Sequence, residues 1–217
     1  MDRRAKYLES NLSAYNGPLA ECYDRSIPVR LLRAWEMDDF VVESLRGEPT
    51  GLQILDVGCG TGRLLERLSL AGAGAVSGVD VAHGILDVAR RRLRELDVDL
   101  RIGDVEAGLP WPDRSFDVVT MTGVFHHFTR PGRALSEIIR VLRDGARLLL
   151  VDPCFFTPLR QVFNFALFVH PRAGDFRFYS PLDASQVLSE AGLRVNLVTR
   201  LNWWSYGVDA SRSPLFG

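Results

Sequence analysis

The chain has 217 residues, of which 47% are hydrophobic and 24% are charged. That length is enough for one substantial buried core and short for two, so we predict a single domain over 1–217. The 26 basic and 27 acidic side chains leave a formal net charge of -1. A chain without a long-range positive field is not expected to have a nucleic-acid partner.

Cysteine usage and hydropathy indicate the compartment. The three cysteines are an odd number and form no C-x-x-C pair, which argues against a disulfide framework or a zinc site. The N-terminal sequence MDRRAKYLESNLSAYNG lacks the apolar core of a secretory signal. The apolar stretch 151–169 is interrupted by Asp152 and two prolines, so no integral membrane span is predicted. We therefore expect a cytoplasmic protein.

Short apolar runs alternate with helical patterns along the chain. The runs are rich in leucine or β-branched residues, as strands are, and lie at 53–57, 75–79, 98–102, 116–121, 146–151 and 193–198. The clearest helix is predicted over 83–97, and another helical pattern covers 29–45. Because near-continuous apolar strands need cover on both faces, the alternation predicts a parallel sheet between helices.

The predicted fold class is α/β, with a doubly wound, mostly parallel, Rossmann-like sheet of seven strands. After 193, two strand-like runs follow each other without a helix between them, which predicts an antiparallel hairpin at the sheet edge. The residues before Gly51 are expected to form a helical cap over one end of the site. In such sheets ligands bind beyond the carboxyl ends of the strands, so chemistry is sought there.

The first predicted strand runs into the loop DVGCGTG, in which Asp56 precedes Gly58, Gly60 and Gly62. A dinucleotide does not fit, because Arg63 stands at the third glycine of G-x-G-x-x-G and Asp56 would repel a pyrophosphate. A positively charged ligand would instead be attracted by Asp56. S-adenosylmethionine carries a sulfonium and an α-ammonium, which an acidic residue attracts, while the glycines allow the backbone to approach closely.

The next strand ends also carry ligand-like side chains. Asp80 ends the second strand, where a carboxylate can accept hydrogen bonds from both ribose hydroxyls. After the third strand, Asp104 could accept from the adenine amine while Val105 packs on the ring. Thr122 lies at the end of the fourth strand. Four consecutive strand ends therefore point to an adenosyl cofactor.

The segments ILDVGCGTG, GVD, GDVEAGLPWPDRSFDVV, VFHHF and RVLRDGARLLLVDP occur in one characteristic order. In these segments the chain resembles the class I S-adenosylmethionine-dependent methyltransferases, over about 52–153 and more weakly over 180–201. Within that family it is similar to the small-molecule branch that includes ubiquinone/menaquinone C-methyltransferases. The resemblance implies S-adenosylmethionine as the cofactor. The implied cofactor-binding residues are Asp56, Gly58, Cys59, Gly60, Gly62, Asp80, Val81, Asp104, Val105, Thr122 and Tyr23.

The resemblance also implies roles along the chain. The glycines would line the methionyl end, Thr122 would lie near the sulfonium, and Tyr23 would close over the cofactor. Cys59 is interpreted as a small spacer and not as a nucleophile. The predicted sections are an N-terminal helical cap (1–50), a cofactor-binding core (51–152), a substrate-side insertion (153–180), and a final helix with the edge hairpin (181–217).

His126 and His127 follow the fourth strand and are the candidate catalytic residues. Either could act as a general base near neutral pH, or the pair could instead orient the cofactor or a helix end. The sulfonium is a good leaving group, so in-line placement supplies much of the acceleration and no base is universal in the family. No metal is predicted, because TMTGVFHHF contains no carboxylate.

The insertion after the fifth strand is expected to shape the acceptor pocket. Its helix is apolar nearly all round, so something must cover it. Three interpretations stay open: packing in the core or in a homodimer through 153–170, a lid over an aromatic or lipid-like acceptor, and a contact with a membrane surface. The candidate lining residues are Phe176, Phe178, Tyr179, Trp203 and Trp204.

The sequence thus predicts methyl transfer to a small hydrophobic or aromatic acceptor at oxygen, carbon or nitrogen. One alternative keeps the fold and changes the reaction, either to a protein or nucleic-acid substrate or to non-methyl chemistry. An N-P-P-[YFW] motif of amino-methylating nucleic-acid enzymes is missing after FDVVTM, which argues against one such branch. The other alternative is a binding module that holds the cofactor without catalysis.

Overall fold

A computed structural model describes residues 3–26, 34–46, 50–170 and 175–213. In these ranges the strands are β1 (Gln53–Val57), β2 (Ala75–Asp80), β3 (Val98–Ile102), β4 (Phe116–Thr122), β5 (Leu142–Pro153), β6 (Leu193–Arg200) and β7 (Ser205–Arg212). The α-helices are α1 (Arg3–Tyr15), α2 (Leu19–Cys22), α3 (Ala34–Ser44), α4 (Arg63–Leu70), α5 (His83–Arg92), α6 (Pro131–Val141), α7 (Thr157–Val169) and α8 (Pro181–Glu190). Short 3-10 turns occupy Tyr23–Arg25 and Phe125–His127.

The strands form one sheet in the order β3-β2-β1-β4-β5-β7-β6. The first five of these strands run parallel, and β7 is antiparallel to both β5 and β6. The predicted doubly wound fold with an antiparallel edge hairpin is confirmed. After β3 the chain crosses to the other side of β1 to make β4, so connections diverge on opposite faces there and open a crevice at the carboxyl ends.

Alternate residues of the central strands enter two different cores. Ile54, Val118 and Leu149 pack in the core beneath α3, α4 and α5. Leu55 and Val119, their chain neighbours, pack in the core beneath α6 and α8. Because successive strand side chains point to opposite faces, apolar residues at every position bury the sheet on both sides.

Close packing of α4 on β2 holds the loop after β1 in place. Gly78 lies in the middle of β2, and a Cβ there would come within 2.6 Å of Leu65 Cδ1 and 2.9 Å of Cys59 Sγ. The absent side chain therefore lets α4 and the glycine loop approach the sheet. Leu65 is fully buried in this contact.

Some element boundaries differ from the sequence predictions. The helix predicted over 83–97 ends at Arg92, although Leu93 is still buried, so the apolar stripe continues past the helical hydrogen bonds. Strand β5 begins at Leu142, before the predicted apolar run, because Leu142 pairs with Phe116 ahead of a register shift. Of the helical pattern at 29–45, residues 34–44 are helical, and 27–33 lie outside the described residues.

The apolar helix of the insertion, α7, has 13 residues. Across the described part of the chain, no helix combines the length and apolar character that crossing a bilayer requires.

Two leucines of α4 provide a matched test of this packing. Leu65→Ala should lower the free energy of unfolding by about 2–5 kcal/mol, because the side chain is removed from a closed core. Leu70 is 73% exposed on the same helix, so Leu70→Ala should change the free energy of unfolding by less than about 0.5 kcal/mol. Equilibrium denaturation measures both, and equal losses would contradict the assigned packing.

Candidate active site

One cavity opens at the carboxyl ends of β1, β2 and β4, where the sheet order reverses. Every residue of the predicted cofactor-binding set except Gly62 lines it. Asp56 and Thr122, which are 66 positions apart along the chain, therefore share one space, as the carboxyl ends of parallel strands require.

The glycine loop turns sharply against β2. The amides of Gly58 and Cys59 both donate to the carbonyl of Val79, at 2.8 and 3.1 Å. Gly58 has a φ of +72°, and a Cβ there would lie 2.4 Å from Val124 Cγ2. Position 58 therefore needs glycine, both for its positive φ and for the close approach of Val124.

Gly62 lies at the start of α4 and faces away from the cavity. A Cβ on it would meet Leu93 Cδ1 at 2.9 Å and Ala89 Cβ at 3.2 Å. Its left-handed backbone and missing side chain thus serve the packing of α4 on α5, and its predicted place at the methionyl end stays a prediction.

Asp80 connects two of the loops that bound the cavity. Its Oδ2 accepts from the amide of Gly60, and its Oδ1 accepts from the amide of Ala82, each at 3.0 Å. Burial raises the pKa of this carboxyl, while the backbone donors oppose the rise. The carboxylate lines the cavity and keeps lone pairs for further donors.

The Asp56 side chain lies beneath the glycine loop and is almost fully buried. The Thr120 hydroxyl donates to its Oδ1 at 2.7 Å. Burial raises the pKa of Asp56 to about 7, and Asp38 and Asp80 add to the rise. A cation in the cavity would favour the ionised form.

The ends of β3 and β4 contribute the other predicted residues. Asp104 Oδ1 accepts from the Glu106 amide at 2.8 Å, and Val105 is buried against the cavity. The Thr122 hydroxyl oxygen is buried and has no hydrogen-bond partner among the described residues. A buried hydroxyl of this kind is what a bound ligand would satisfy.

Helix α1 lies in the predicted N-terminal cap and forms a wall of the cavity, although sequence reasoning assigned none of its residues to the site. Tyr7, Leu8, Leu12 and Tyr15 line the cavity, and Tyr15 contacts Tyr23 edge to face at 5.6 Å. The helical spacing of these residues was the available signal.

A close contact keeps α1 over the cavity. The amide of Gly84, at the start of α5, donates to the Asn16 side chain at 2.9 Å. A Cβ on Gly84 would lie 2.7 Å from Asn16 Cα. Glycine at this position therefore permits the end of α1 to dock against α5.

A charged network also borders the cavity. Asp38 is almost fully buried and accepts from Arg63 Nε at 2.5 Å. Asp24 accepts from the Thr61 hydroxyl at 2.9 Å and pairs with Arg92. No local sequence pattern pointed to Asp38, because only the folded chain brings α3 to the glycine loop.

The two histidines have different environments. His126 is buried outside the cavity, with Nδ1 2.9 Å from Asp152 Oδ1 and Nε2 3.4 Å from Asp175 Oδ1. Burial alone would lower its pKa, but the two carboxylates outweigh that effect and raise the pKa to about 10. A histidine that stays protonated away from the cavity is poorly suited to act as a general base.

His127 lines the cavity and remains the candidate proton acceptor of the pair. The Asn11 amide donates to the Tyr7 hydroxyl at 2.6 Å, and that hydroxyl lies 2.8 Å from His127 Nδ1. Burial raises the pKa of Tyr7, so its hydroxyl keeps its proton. A protonated hydroxyl can donate to Nδ1 or accept from it, so the donor in this pair depends on the tautomer of His127.

The aromatic residues predicted to line the acceptor pocket lie elsewhere. None of Phe176, Phe178, Tyr179, Trp203 and Trp204 is among the described residues that line the cavity. Phe178 stacks on His126 at 5.2 Å and Tyr179 packs on Phe125, whereas Trp203 is 81% exposed. The sequence pattern found apolar side chains but not the direction in which they point.

Much of α7 is exposed in the described structure, including Phe165 and Phe168. Asn164 secures the helix to the following segment: its amide donates to the Phe178 carbonyl at 2.9 Å and its Oδ1 accepts from the Phe178 amide at 2.8 Å. The homodimer, lid and membrane-contact interpretations of this surface all stay predictions.

The sheet order and the cavity at the glycine loop define a Rossmann-like fold of the methyltransferase type. The structure of magnesium protoporphyrin IX methyltransferase (ChlM) from Synechocystis PCC 6803 with bound SAH has this fold. It superposes with a TM-score of 0.72 at 21% identity, covering 93% of this chain and 97% of that chain.

Sequence comparisons identify the family. Residues 55–150 match the family described as a methyltransferase domain. Demethylmenaquinone methyltransferase of Symbiobacterium thermophilum is 37% identical over 161 residues, which is 70% of this chain and 62% of the relative. The C-methyltransferase UbiE of ubiquinone/menaquinone biosynthesis in Shewanella halifaxensis is 30% identical over 169 residues, which is 73% of this chain and 65% of the relative.

This chain thus spans less than two thirds of the length of either relative. Residues 55–150 carry a methyltransferase domain, and the relatives support a class I S-adenosylmethionine-dependent methyltransferase similar to UbiE, as the sequence motifs indicated. The cofactor of this family is S-adenosylmethionine.

Two glycines at the ends of α4 test the packing role of Gly62. Both have positive φ, +77° for Gly62 and +89° for Gly72, but a Cβ on Gly72 would meet nothing within 4 Å. Gly72→Ala should lose about 1–2 kcal/mol of unfolding free energy through conformation alone. Gly62→Ala should lose at least about 1 kcal/mol more, because it also crowds Leu93 and Ala89. Equal losses in equilibrium denaturation would rule out the packing role.

Proposed function

We propose that this chain transfers a methyl group from S-adenosylmethionine to a small hydrophobic or aromatic acceptor, at oxygen, carbon or nitrogen. The observation that supports the proposal most is the single cavity that holds the glycine loop, three strand-end carboxylates and an aromatic wall from α1. The glycine loop and the carboxylates suit the cofactor, and the aromatic wall from α1 suits an apolar acceptor.

The residues present fit the cofactor. Asp80 would accept from the ribose hydroxyls, and Asp104 with Val105 would contact the adenine. Asp56 would favour the positively charged methionyl end, where a carboxylate gains from a nearby cation. The unpartnered Thr122 hydroxyl lies on the same cavity, where it would face the sulfonium side.

The acceptor would lie between α1 and the end of β4. Tyr7, Leu8, Leu12 and Tyr15 offer apolar and aromatic contacts there, and His127 borders the same space. The names of the relatives, which refer to menaquinone and ubiquinone biosynthesis, make a quinone-type ring the first acceptor to examine.

The reaction needs the acceptor atom in line with the methyl group and the sulfur. The acceptor's electron pair forms the new bond to carbon, the carbon–sulfur bond breaks, and S-adenosylhomocysteine leaves as a neutral thioether. Orientation by the cavity walls would supply much of the acceleration. Where the acceptor carries a proton, His127 is the residue placed to receive it.

A turnover screen tests the proposed function. The purified chain is incubated with S-adenosylmethionine and a panel of lipophilic phenols and quinones, and mass spectrometry follows S-adenosylhomocysteine and methylated products. The proposal expects both products in equal amounts with at least one acceptor. Cofactor binding without S-adenosylhomocysteine formation across the panel would favour the non-catalytic module. S-adenosylhomocysteine formation with only protein or nucleic-acid acceptors would favour the macromolecular alternative.

The ribose assignment is tested separately by Asp80→Asn. Asparagine keeps the shape and one acceptor oxygen but loses the charge, so S-adenosylhomocysteine binding should weaken by roughly 1.5–3 kcal/mol in calorimetry. Asp87→Asn is the control, since Asp87 is exposed on α5 and pairs only with nearby Arg90 among the described contacts. Unchanged affinity in a folded Asp80→Asn variant would remove Asp80 from the cofactor site.

A further inference from the structure

Three potential metal ligands converge at the edge of the cavity. They are one ring nitrogen each of His126 and His127 and a carboxylate oxygen of Asp175, and these three atoms all lie within 4.8 Å of one another. Asp175 Oδ1 is 3.4 Å from His126 Nε2 and 4.0 Å from His127 Nδ1. Two imidazoles and one carboxylate are a ligand set that divalent transition metals prefer.

The spacing is close to that of a bound ion. Ligands about 2.1 Å from a tetrahedral metal lie about 3.4 Å from each other. The Asp175–His126 separation already has this value. His127 Nδ1 lies 4.0 Å from the same oxygen, and the two histidine nitrogens lie within 4.8 Å of each other, so binding an ion would also draw the His127 ring closer.

The surroundings orient the ligands before any ion arrives. Asp152, which is fully buried, lies behind His126 and accepts from its Nδ1, so that Nε2 points to Asp175. A carboxylate behind a ligating histidine is the usual way in which proteins fix such a ring. Phe178 stacks on the same imidazole.

Asp175 is held near the histidines by the backbone that follows it. The amides of Phe176 and Arg177 both donate to the His126 carbonyl, at 3.2 and 3.0 Å. The segment after α7 is thereby joined to the turn after β4. The position of Asp175 depends on these backbone contacts as well as on its own charge.

We propose that His126, His127 and Asp175 bind a divalent first-row transition-metal ion at the edge of the cavity. The ion takes the place of the proton between His126 and Asp175, which is released to solvent, and it displaces the Tyr7 hydroxyl from His127 Nδ1. The expectation of no metal rested on the absence of a carboxylate beside the histidines in sequence. The fold supplies that carboxylate from the segment after α7.

Cobalt(II) is the probe, because its visible absorption reports imidazole coordination. The full chain is treated with a chelator, dialysed against Co²⁺ and examined by absorption, elemental analysis and thermal melting. We expect stoichiometric Co²⁺ and a higher melting temperature for the wild type. Asp175→Asn should bind Co²⁺ at least about 10-fold more weakly, because one ligand and its charge are changed.

Matched variants separate this site from adventitious binding. His170 is exposed and outside the cluster, so His170→Ala should bind Co²⁺ like the wild type. Should Asp175→Asn fail to fold, His127→Gln removes a different ligand and should show the same loss. Wild-type protein without Co²⁺ after dialysis, or equal binding by the wild type and either ligand variant, would overturn the proposal.

Discussion

The site depends on two hydrogen bonds that the Asp80 carboxylate accepts. It accepts from the Gly60 amide in the loop after β1 and from the Ala82 amide in the loop after β2. One side chain thereby fixes the spacing of two loops that belong to neighbouring parallel strands. The glycine loop can take this position because Gly58 turns with positive φ and Gly78 leaves room for Cys59 and Leu65. The walls of the cavity follow from these contacts.

The carboxyl groups that line the cavity favour a positively charged ligand. Asp56 and Asp80 are carboxyl groups whose pKa values are raised by burial, so each would be stabilised by a cation and destabilised by a phosphate. Arg63 is the nearby cation that lines the cavity, and buried Asp38 already pairs with it. A sulfonium with an α-ammonium complements this arrangement better than a dinucleotide pyrophosphate does, and the methyltransferase comparisons support S-adenosylmethionine as the cofactor.

The parts of the site that sequence could predict are those set by local pattern. Asp56, Asp80 and Thr122 each lie at or next to the last residue of an apolar strand, and the shared edge of a parallel sheet brings such residues together. The residues missed, Tyr7 and Asp175 among them, meet their partners only through long-range packing that no local period encodes. Gly62 belongs to the same motif but lies outside the cavity lining, and only the folded chain shows that its missing side chain leaves room for Leu93 and Ala89.

A crystal structure of the chain with S-adenosylhomocysteine tests the central claim most directly. The account predicts the ribose hydroxyls within hydrogen-bond distance of Asp80, the adenine against Val105 and the sulfur near Thr122. An adenosyl group bound outside this cavity, or bound within it with the ribose away from Asp80, would contradict the account.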